Sequence, residues 1–291
     1  MPYASIFRSD LFRDQVALIT GGGSGIGRCI AHELASLGAK VVLASRDPAK
    51  LERVVAEIKE DGGQASAIPC NIRVEAEVTA LYDAVIGAHG RVDLLVNNSG
   101  GQFVSPAESI SLRGWNAVLE TNLTGTFLMC RGAHQHGMSE KGGAIVNIVA
   151  DMWRGMPMMS HSGAARAGVV NLTQTLALEW AGCGIRVNAV APGLIASSGL
   201  SNYPEPVQEA LAELPKELPF GRMGTESEVS AAVVYLLSPG ARYITGETVR
   251  VDGASSLYRH AFVLPPGAVA PAYRGLHRPT TAPKGLLGDE E

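Results

Sequence analysis

The stretch VALITGGGSGIG, residues 16–27, joins a short apolar run to a turn rich in glycine, and a helical pattern follows it. A strand that leads into such a turn and then into a helix N-terminus lets backbone amides and the helix dipole approach a pyrophosphate. Glycine turns also allow a strand to pack closely against a helix without binding any ligand. This stretch alone therefore does not distinguish a phosphate-binding turn from a packing turn. The candidate phosphate contacts are Gly21, Ser24, Gly25, Ile26 and Gly27.

Short runs rich in β-branched residues alternate with longer helical patterns along the chain. The runs with strand character are residues 16–20, 40–45, 66–70, 94–98, 144–150, 186–192 and 247–253. This alternation is typical of a parallel sheet covered by helices on both faces. Right-handed crossovers bring the carboxyl ends of all the strands to one edge, where ligands bind. The sequence therefore predicts an α/β fold with a single Rossmann-like, doubly wound parallel sheet of about seven strands.

The composition favours one domain and excludes some partners. The chain has 291 residues, of which 46% are hydrophobic and 34 are glycine, a profile suited to closely packed parallel strands and helices. The net charge of -4 and the lack of a Lys/Arg run argue against nucleic acid as a partner. The four cysteines are widely spaced and match neither a zinc site nor a disulfide framework, so we expect reduced thiols and no metal.

Neither end of the sequence carries a recognisable targeting signal. The first fifteen residues lack the apolar segment of a secretory signal, and no later run is long enough to cross a bilayer. The final residues, LLGDEE, are not a peroxisomal tripeptide. We therefore expect a cytoplasmic protein without membrane contact.

Two segments depart from the alternating pattern. Residues 197–223 are rich in Pro, Glu and Leu and predict a lid after the sixth strand. Repeated prolines exclude regular helix and sheet in the last part of the chain. We therefore divide the chain into a Rossmann-like domain, residues 1–254, and a Pro-rich C-terminal extension, residues 255–291. The extension is expected either to lie on the surface of its own chain or to reach a neighbouring subunit.

The end of the second strand bears on the choice of dinucleotide. Folds that prefer NAD place a carboxylate here for the ribose 2′-hydroxyl, whereas a guanidinium without an acid can pair with a 2′-phosphate. This chain has Ser45 and Arg46 at that place, which favours NADP(H). Asp47 follows directly and weakens the argument, and a merely solvated Arg46 is the alternative.

Several motifs, taken in order, resemble those of the short-chain dehydrogenase/reductase family. They are TGGGSGIG at 20–27, NNSG at 97–100, LETNLTGTF at 119–127, which contains Asn122, and NAVAPGLI at 188–195. The resemblance implies that Asn71 and Ile72 lie near the adenine, although Asn71 stands where the family usually has an acid. It also implies contacts with the nicotinamide half of the cofactor from Asn98, Ser99, Gly100, Pro192, Gly193, Ile195 and Ser197.

The catalytic motif differs from the usual family pattern. The family normally presents a serine near the end of the fifth strand and then Tyr-x-x-x-Lys on the next helix. Here Ser162 takes the place of the tyrosine and Arg166 that of the lysine, and no tyrosine occurs between Tyr82 and Tyr203. A serine hydroxyl is a poor acid for the alkoxide that forms when a ketone is reduced. It is adequate as a hydrogen-bond donor to a thioester enolate, which forms when a conjugated C=C bond is reduced.

The chain resembles one branch of the family more closely, the peroxisomal trans-2-enoyl-CoA reductases, which share the Ser-x-x-x-Arg arrangement. The phrases GGQFVSPAE at 100–108, HSGAARAGV at 161–169 and LALEWAGCGIRVNAVAPG at 176–193 carry this resemblance. It implies NADPH-dependent saturation of a trans-2-enoyl-CoA, an acyl-CoA or lipid-like substrate, and a homotetramer. This chain lacks the peroxisomal tail of that branch.

These considerations give each candidate catalytic residue a role. We expect Arg166 to hold the cofactor ribose, Ser162 to donate to the thioester oxygen, and Asn122 to hold a water in a proton path. His161 and Asp151 are the titratable groups expected nearby, and either one could deliver the proton. Purely structural roles are the alternatives for all five residues.

Two other functions stay open at this point. One is the oxidation of a long-chain or acyclic terpenoid alcohol, or the reduction of its aldehyde, with Asp151 or His161 in place of the missing phenol. The other is a catalytically silent NADP-binding protein, since the loss of Tyr and Lys is also how a pseudoenzyme would look.

Overall fold

The computed structural model describes residues 3–214, 218–258 and 270–280. Its strands are β1 (Val16–Thr20), β2 (Lys40–Ser45), β3 (Gln64–Pro69), β4 (Leu94–Asn97), β5 (Gly143–Ile148), β6 (Ile185–Pro192), β7 (Ile195–Ala196), β8 (Gly224–Thr225) and β9 (Thr248–Val251). Seven of them form one parallel sheet in the order β3-β2-β1-β4-β5-β6-β9. The predicted fold is confirmed, and each predicted strand is found with its ends within two residues.

Helices cover both faces of this sheet. The described α-helices are α1 (Gly25–Ser36), α2 (Pro48–Glu60), α3 (Glu75–His89), α4 (Leu112–Leu119), α5 (Gly125–Ala133), α6 (Ser139–Lys141), α7 (Ser160–Glu179), α8 (Glu205–Glu213) and α9 (Glu226–Leu237). Alternate residues of each strand point to opposite faces. Ala17 and Ile19 therefore pack with α1, α2 and α9, whereas Val16 and Leu18 pack with α3, α5 and α7.

The strand order reverses between β1 and β4, because β1 pairs with β2 on one side and with β4 on the other. Ligands of such sheets bind in the crevice outside the carboxyl ends at this reversal. The Thr20 hydroxyl lies at that point and accepts hydrogen bonds from the backbone N–H groups of Asn98 and Ser99, both at 3.0 Å. The end of β1 and the loop after β4 are therefore fixed to each other.

The predicted lid region contains two short helical elements, a 3₁₀ turn at Ser198–Asn202 and α8. A two-stranded sheet of β7 and β8 joins its ends, which the sequence did not reveal because each strand has only two residues. Residues 215–217 of the lid lie outside the described part. Within that part, none of the helices combines the length and hydropathy that crossing a membrane requires.

The described part of the extension, residues 270–280, packs on its own chain. The Thr225 hydroxyl donates to the Tyr273 carbonyl at 2.6 Å, and the Gly275 N–H donates to Ser227 Oγ at 3.0 Å. Arg278 pairs with Asp61 at 2.8 Å beyond the end of α2. The domain division at residue 254 stays a prediction, and residues 259–269 and 281–291 lie outside the described residues.

Candidate active site

The turn after β1 is closely packed. Gly21 has φ +66°, and a Cβ on Gly27 would lie 2.4 Å from the Gly21 carbonyl oxygen. The Asn98 amide donates to the Thr20 and Gly21 carbonyls at 3.2 Å. Glycine is therefore required at these two positions to hold the turn against the loop after β4.

The N-terminus of α1 is suited to an anion. Ser24 precedes the helix in extended conformation, and its side chain does not cap the first amides. A Cβ on Gly25 would lie 3.2 Å from Ser198 Oγ and 4.0 Å from Ser197 Cβ, so the segment after the Pro-Gly turn covers this end of the helix. Backbone amides at a helix N-terminus with little side-chain bulk fit a pyrophosphate. Among the residues that would hold it are Gly25 and Ile26, the first two of α1.

The residues at the end of β2 are the ones on which a preference for NADP(H) was predicted. Arg46 is exposed and Ser45 is half-buried. Asp47 caps α2, and its carboxylate accepts from the Lys50 N–H at 3.3 Å. That backbone hydrogen bond is the main cause that lowers the pKa of Asp47. The Asp47 carboxylate, which weakened the sequence argument for NADP(H), is therefore hydrogen-bonded to the N-terminus of α2.

Asn71 and Ile72 lie beyond the end of β3. The Asn71 N–H donates to Glu77 Oε2 at 2.7 Å, and its side-chain oxygen accepts from Arg73 Nε at 3.2 Å. Ile72 is buried against Gly125, where a Cβ would lie 2.7 Å from the Ile72 side chain. The adenine contact inferred for both residues stays a prediction.

Arg166 extends from α7 to the carboxyl ends of the central strands. Its Nη1 donates to the Ile148 carbonyl at 2.6 Å, whereas its buried Nε has no partner in the described part of the chain. Burial lowers the pKa of Arg166 to about 10, so the guanidinium stays charged near neutral pH. A Cβ on Gly100 would lie 2.4 Å from Arg166 Nη2. Gly100 therefore leaves the space that the guanidinium occupies.

Asn122 lies in a π-helical turn, Glu120–Thr124, between α4 and α5. Its side chain is fully buried and holds both backbone groups of Gly101. Its Oδ1 accepts from the Gly101 N–H and its Nδ2 donates to the Gly101 carbonyl, each at 2.9 Å. A π turn often marks a functional position in a helix. Here it fixes the loop that passes between Arg166 and Ser162, and the water-holding role stays a prediction.

Ser162 is hydrogen-bonded to Gln102, and Gln102 in turn to Tyr203, a lid residue that the sequence did not indicate. Ser162 Oγ donates to Gln102 Oε1 at 2.6 Å, and Gln102 Nε2 donates to the Tyr203 hydroxyl at 2.5 Å. Tyr203 belongs to the lid and lies 41 positions beyond Ser162. The one available signal for Gln102 was its place in the GGQF phrase after β4.

The two candidate proton donors differ in their surroundings. His161 is fully buried, its Nδ1 accepts from the Ser162 N–H at 2.7 Å, and its ring packs edge-on against Phe103 at 4.3 Å. Burial lowers its pKa, which favours the neutral ring. Asp151 is half-buried beside Pro192, whose carbonyl accepts from the Asp151 N–H at 3.3 Å. Their assignment as proton donors stays a prediction.

The loop between β5 and α7 forms an apolar rim rather than core. Trp153 is 41% exposed and Met158 is 45% exposed. Arg250 lies over the Trp153 ring at 4.1 Å, and Arg154 donates to the Leu257 carbonyl at 2.8 Å. Arg250 of β9 and the residues after β9 therefore support a wall of flexible and aromatic side chains, which suits an apolar ligand.

The chain is similar to known oxidoreductases over most of its length. A family model described as enoyl-(acyl carrier protein) reductase matches residues 21–255. A probable 2,4-dienoyl-CoA reductase of Bacillus subtilis is 37% identical over 251 residues, covering 85% of this chain and 99% of the relative.

Solved structures give the same result. A citronellol catabolism dehydrogenase of Pseudomonas aeruginosa is 51% identical, with a TM-score of 0.79 over 87% of this chain and 100% of the other. An actinorhodin polyketide ketoreductase solved with NADPH is 35% identical, with a TM-score of 0.79 over 84% of this chain and 98% of the other. The chain therefore belongs to the short-chain dehydrogenase/reductase family of oxidoreductases, which use a nicotinamide cofactor.

Proposed function

We propose that this protein reduces the C=C bond of a trans-2-enoyl-CoA thioester with NADPH. The observation that carries the proposal is the pair of Ser162 and Arg166 on α7, where a phenol and an ammonium normally stand in this family. A buried hydroxyl donor suits an oxygen that takes on negative charge, because hydrogen-bond donors in a water-poor site stabilise such charge strongly. The relatives named as 2,4-dienoyl-CoA reductases, which are 36–37% identical, agree with this substrate class.

Ser162 and Arg166 have different roles in the proposed reaction. When bound, the dihydronicotinamide supplies a hydride to the β-carbon of the substrate. Ser162 donates to the thioester oxygen, on which the displaced electron pair collects. Arg166 holds the hydroxyls of the nicotinamide ribose, because its guanidinium is fixed to the end of β5 and keeps an N–H that none of the described residues accepts.

A second function is favoured by one specific observation. The citronellol catabolism dehydrogenase is 51% identical, a higher figure than that of the dienoyl-CoA reductases. Interconversion of an acyclic terpenoid alcohol and its aldehyde is therefore the alternative. It needs an acid for the alkoxide, which Ser162 supplies poorly.

The deciding experiment measures dinucleotide turnover with enoyl-CoA thioesters of graded chain length, with citronellal and with citronellol. The proposal expects saturated acyl-CoA as product and a preference for NADPH over NADH. Turnover of only the terpenoid substrates would select the second function. No turnover of either class, together with tight NADPH binding, would favour a silent cofactor-binding protein.

The proposal also covers the oligomeric state of the protein and its location in the cell. We expect a homotetramer, which sedimentation or light scattering of the purified protein measures directly. We expect a cytoplasmic location, which fractionation of the source cells tests.

A further inference from the structure

The Gln102 carboxamide lies between two hydroxyl groups that come from different parts of the chain. Its oxygen accepts from Ser162 Oγ at 2.6 Å and its nitrogen donates to the Tyr203 hydroxyl at 2.5 Å. Gln102 itself is exposed on the loop after β4. It forms a planar bridge between α7 and the lid, with solvent on its exposed side.

The carboxamide has the same connectivity as the reacting end of an enoyl thioester. In Gln102 an oxygen and a nitrogen are bonded to one planar carbon, and in a thioester enolate an oxygen and the α-carbon are bonded to one planar carbon. A thioester enolate that replaces the carboxamide puts its oxygen beside Ser162 and its α-carbon beside the Tyr203 hydroxyl, with the face of the α-carbon turned toward the phenol, because an enolate carbon takes up a proton perpendicular to the enolate plane. These are the two atoms that need a hydrogen-bond donor and a proton, respectively.

We propose that Ser162 and Tyr203 form a two-point site for the thioester enolate, and that Gln102 occupies this site until the substrate displaces it. Ser162 donates to the oxyanion, and Tyr203 donates its phenolic proton to the α-carbon. This inference rests on the proposed function and names the proton donor that α7 does not supply. A phenol is a much stronger acid than a serine hydroxyl.

The step balances in atoms and electrons. After hydride has been added to the β-carbon, the enolate carries an electron pair shared between its oxygen and its α-carbon. That pair forms the new bond between the α-carbon and the proton while the Tyr203 O–H bond breaks and the thioester C=O bond re-forms. The resulting phenolate regains a proton from water, which reaches Tyr203 because this side chain is half-buried at the lid.

The lid holds Tyr203 in this position. Gln208, in the first turns of α8, donates to the Tyr203 carbonyl at 2.7 Å. Tyr203 follows the 3₁₀ turn at Ser198–Asn202, whose first residue lies next to Gly25 of the nucleotide turn. His161 is less well placed to exchange protons, because it is fully buried and its Nδ1 is bonded to the Ser162 N–H.

The first test compares Tyr203→Phe with Tyr243→Phe, which removes a phenol that is fully exposed. Loss of a general acid costs roughly 100-fold or more in rate, so kcat with enoyl-CoA should fall about 100-fold in Tyr203→Phe alone. The dissociation constant for NADPH should stay unchanged in both variants. Full kcat in Tyr203→Phe would overturn the inference and leave the enoyl-CoA proposal standing.

A second test needs no turnover. In protein labelled with 3-fluorotyrosine, the Tyr203 fluorine resonance is assigned by its loss in Tyr203→Phe. Adding NADP⁺ with a saturated acyl-CoA should shift that resonance and leave the Tyr243 resonance in place. Gln102→Ala should bind the same acyl-CoA several-fold more tightly, because no side chain has to be displaced.

These outcomes distinguish a failure of the two-point site from a failure of the proposed enoyl-CoA reductase function. An unshifted Tyr203 resonance, or weaker acyl-CoA binding in Gln102→Ala, would overturn the two-point site whatever the reaction. A wild-type protein that reduces citronellal but no enoyl-CoA would refute the proposed function. Should Tyr203→Phe then reduce citronellal at the wild-type rate, Tyr203 would be refuted as proton donor as well.

Discussion

Gly100 determines whether Arg166 can reach the end of β5. Because a Cβ on Gly100 would lie 2.4 Å from Arg166 Nη2 and 3.1 Å from Asn122 Oδ1, Gly100→Ala should displace the guanidinium. We expect the dissociation constant for NADPH to rise about tenfold or more, equivalent to about 1.4 kcal/mol, as measured by the fluorescence of the bound dinucleotide. Gly101→Ala is the matched control, since a Cβ there meets no atom within 4 Å. Equal binding by both variants would contradict this assignment of Arg166.

Arg46 is the residue on which the proposed preference for NADP(H) depends. Its side chain is exposed at the end of β2, and the neighbouring carboxylate of Asp47 is bonded to the N-terminus of α2. A lost charge-assisted hydrogen bond costs about 1.5–3 kcal/mol, so Arg46→Ala should raise the KM for NADPH roughly 10- to 100-fold. The KM for NADH should stay the same and serves as the internal control. An Arg46→Ala variant with unchanged KM for NADPH would leave Arg46 as a solvated charge.

The first turn of α9 carries two carboxylates whose pKa values are shifted in opposite directions. Glu226 is 6% exposed beside the nucleotide turn, and burial raises its pKa to about 7. A carboxyl group with a raised pKa in the folded state stabilises the fold at low pH, and this stabilisation is lost as the pH rises through that pKa. Burial opposes ionisation of Glu228 as well, but Arg222 and the Thr225 N–H outweigh it and lower its pKa.

Glu226→Gln should therefore be more stable than the wild type above pH 7, by about 1–3 kcal/mol, and close to it below the ordinary glutamate pKa of 4.5. Urea unfolding at a series of pH values measures this difference. Glu228→Gln is the control of opposite sign, because it loses an ion pair with Arg222 at 2.6 Å and should be less stable at neutral pH. A Glu226→Gln variant that follows the wild-type pH dependence would show that the folded protein leaves Glu226 ionised.

The elements that the sequence predicted are those with a strong local signal. Each strand of the main sheet has alternating or continuous apolar residues over four or more positions, and the glycine turn marks the start of α1. The pairing of β7 with β8 had no such signal, because two residues show no periodicity. The π turn at Glu120–Thr124 was also hidden, since it depends on how Asn122 holds Gly101 rather than on helix propensity.

The candidate site was predictable only in part for a related reason. The nucleotide turn, Ser162 and Arg166 stand in motifs whose spacing along the chain is fixed by one strand or one helix. Tyr203 reaches Ser162 through a lid, and the bridge between them is the side chain of Gln102 on a third segment. Contacts of this kind are set by the tertiary fold, so no local pattern in the sequence indicates them.

The first described residues and the described part of the extension meet on one side of the molecule. The Ala4 N–H donates to the Gly275 carbonyl at 2.9 Å, and the Tyr273 hydroxyl donates to the Ala4 carbonyl at 2.7 Å. Beneath them Glu33 of α1 is fully buried and accepts from Ser5 Oγ at 2.7 Å. The described part of the extension, residues 270–280, has no helix or strand, yet several of its backbone polar groups are hydrogen-bonded to residues of α9 and its N-cap Thr225.

Removing residues 270–291 should therefore destabilise the protein without changing its assembly. The described arm makes its contacts within its own chain, among them the Thr225 and Arg278 hydrogen bonds to Tyr273 and Asp61. Each kcal/mol lost lowers the Tm of a protein this large by about 2–4 °C, so we expect a fall of several degrees in a thermal melt. Removing residues 281–291 alone is the control, and the difference between the two truncations gives the contribution of the described arm. If the longer truncation instead splits the oligomer at equal protein concentration in light scattering, the arm reaches a neighbouring subunit.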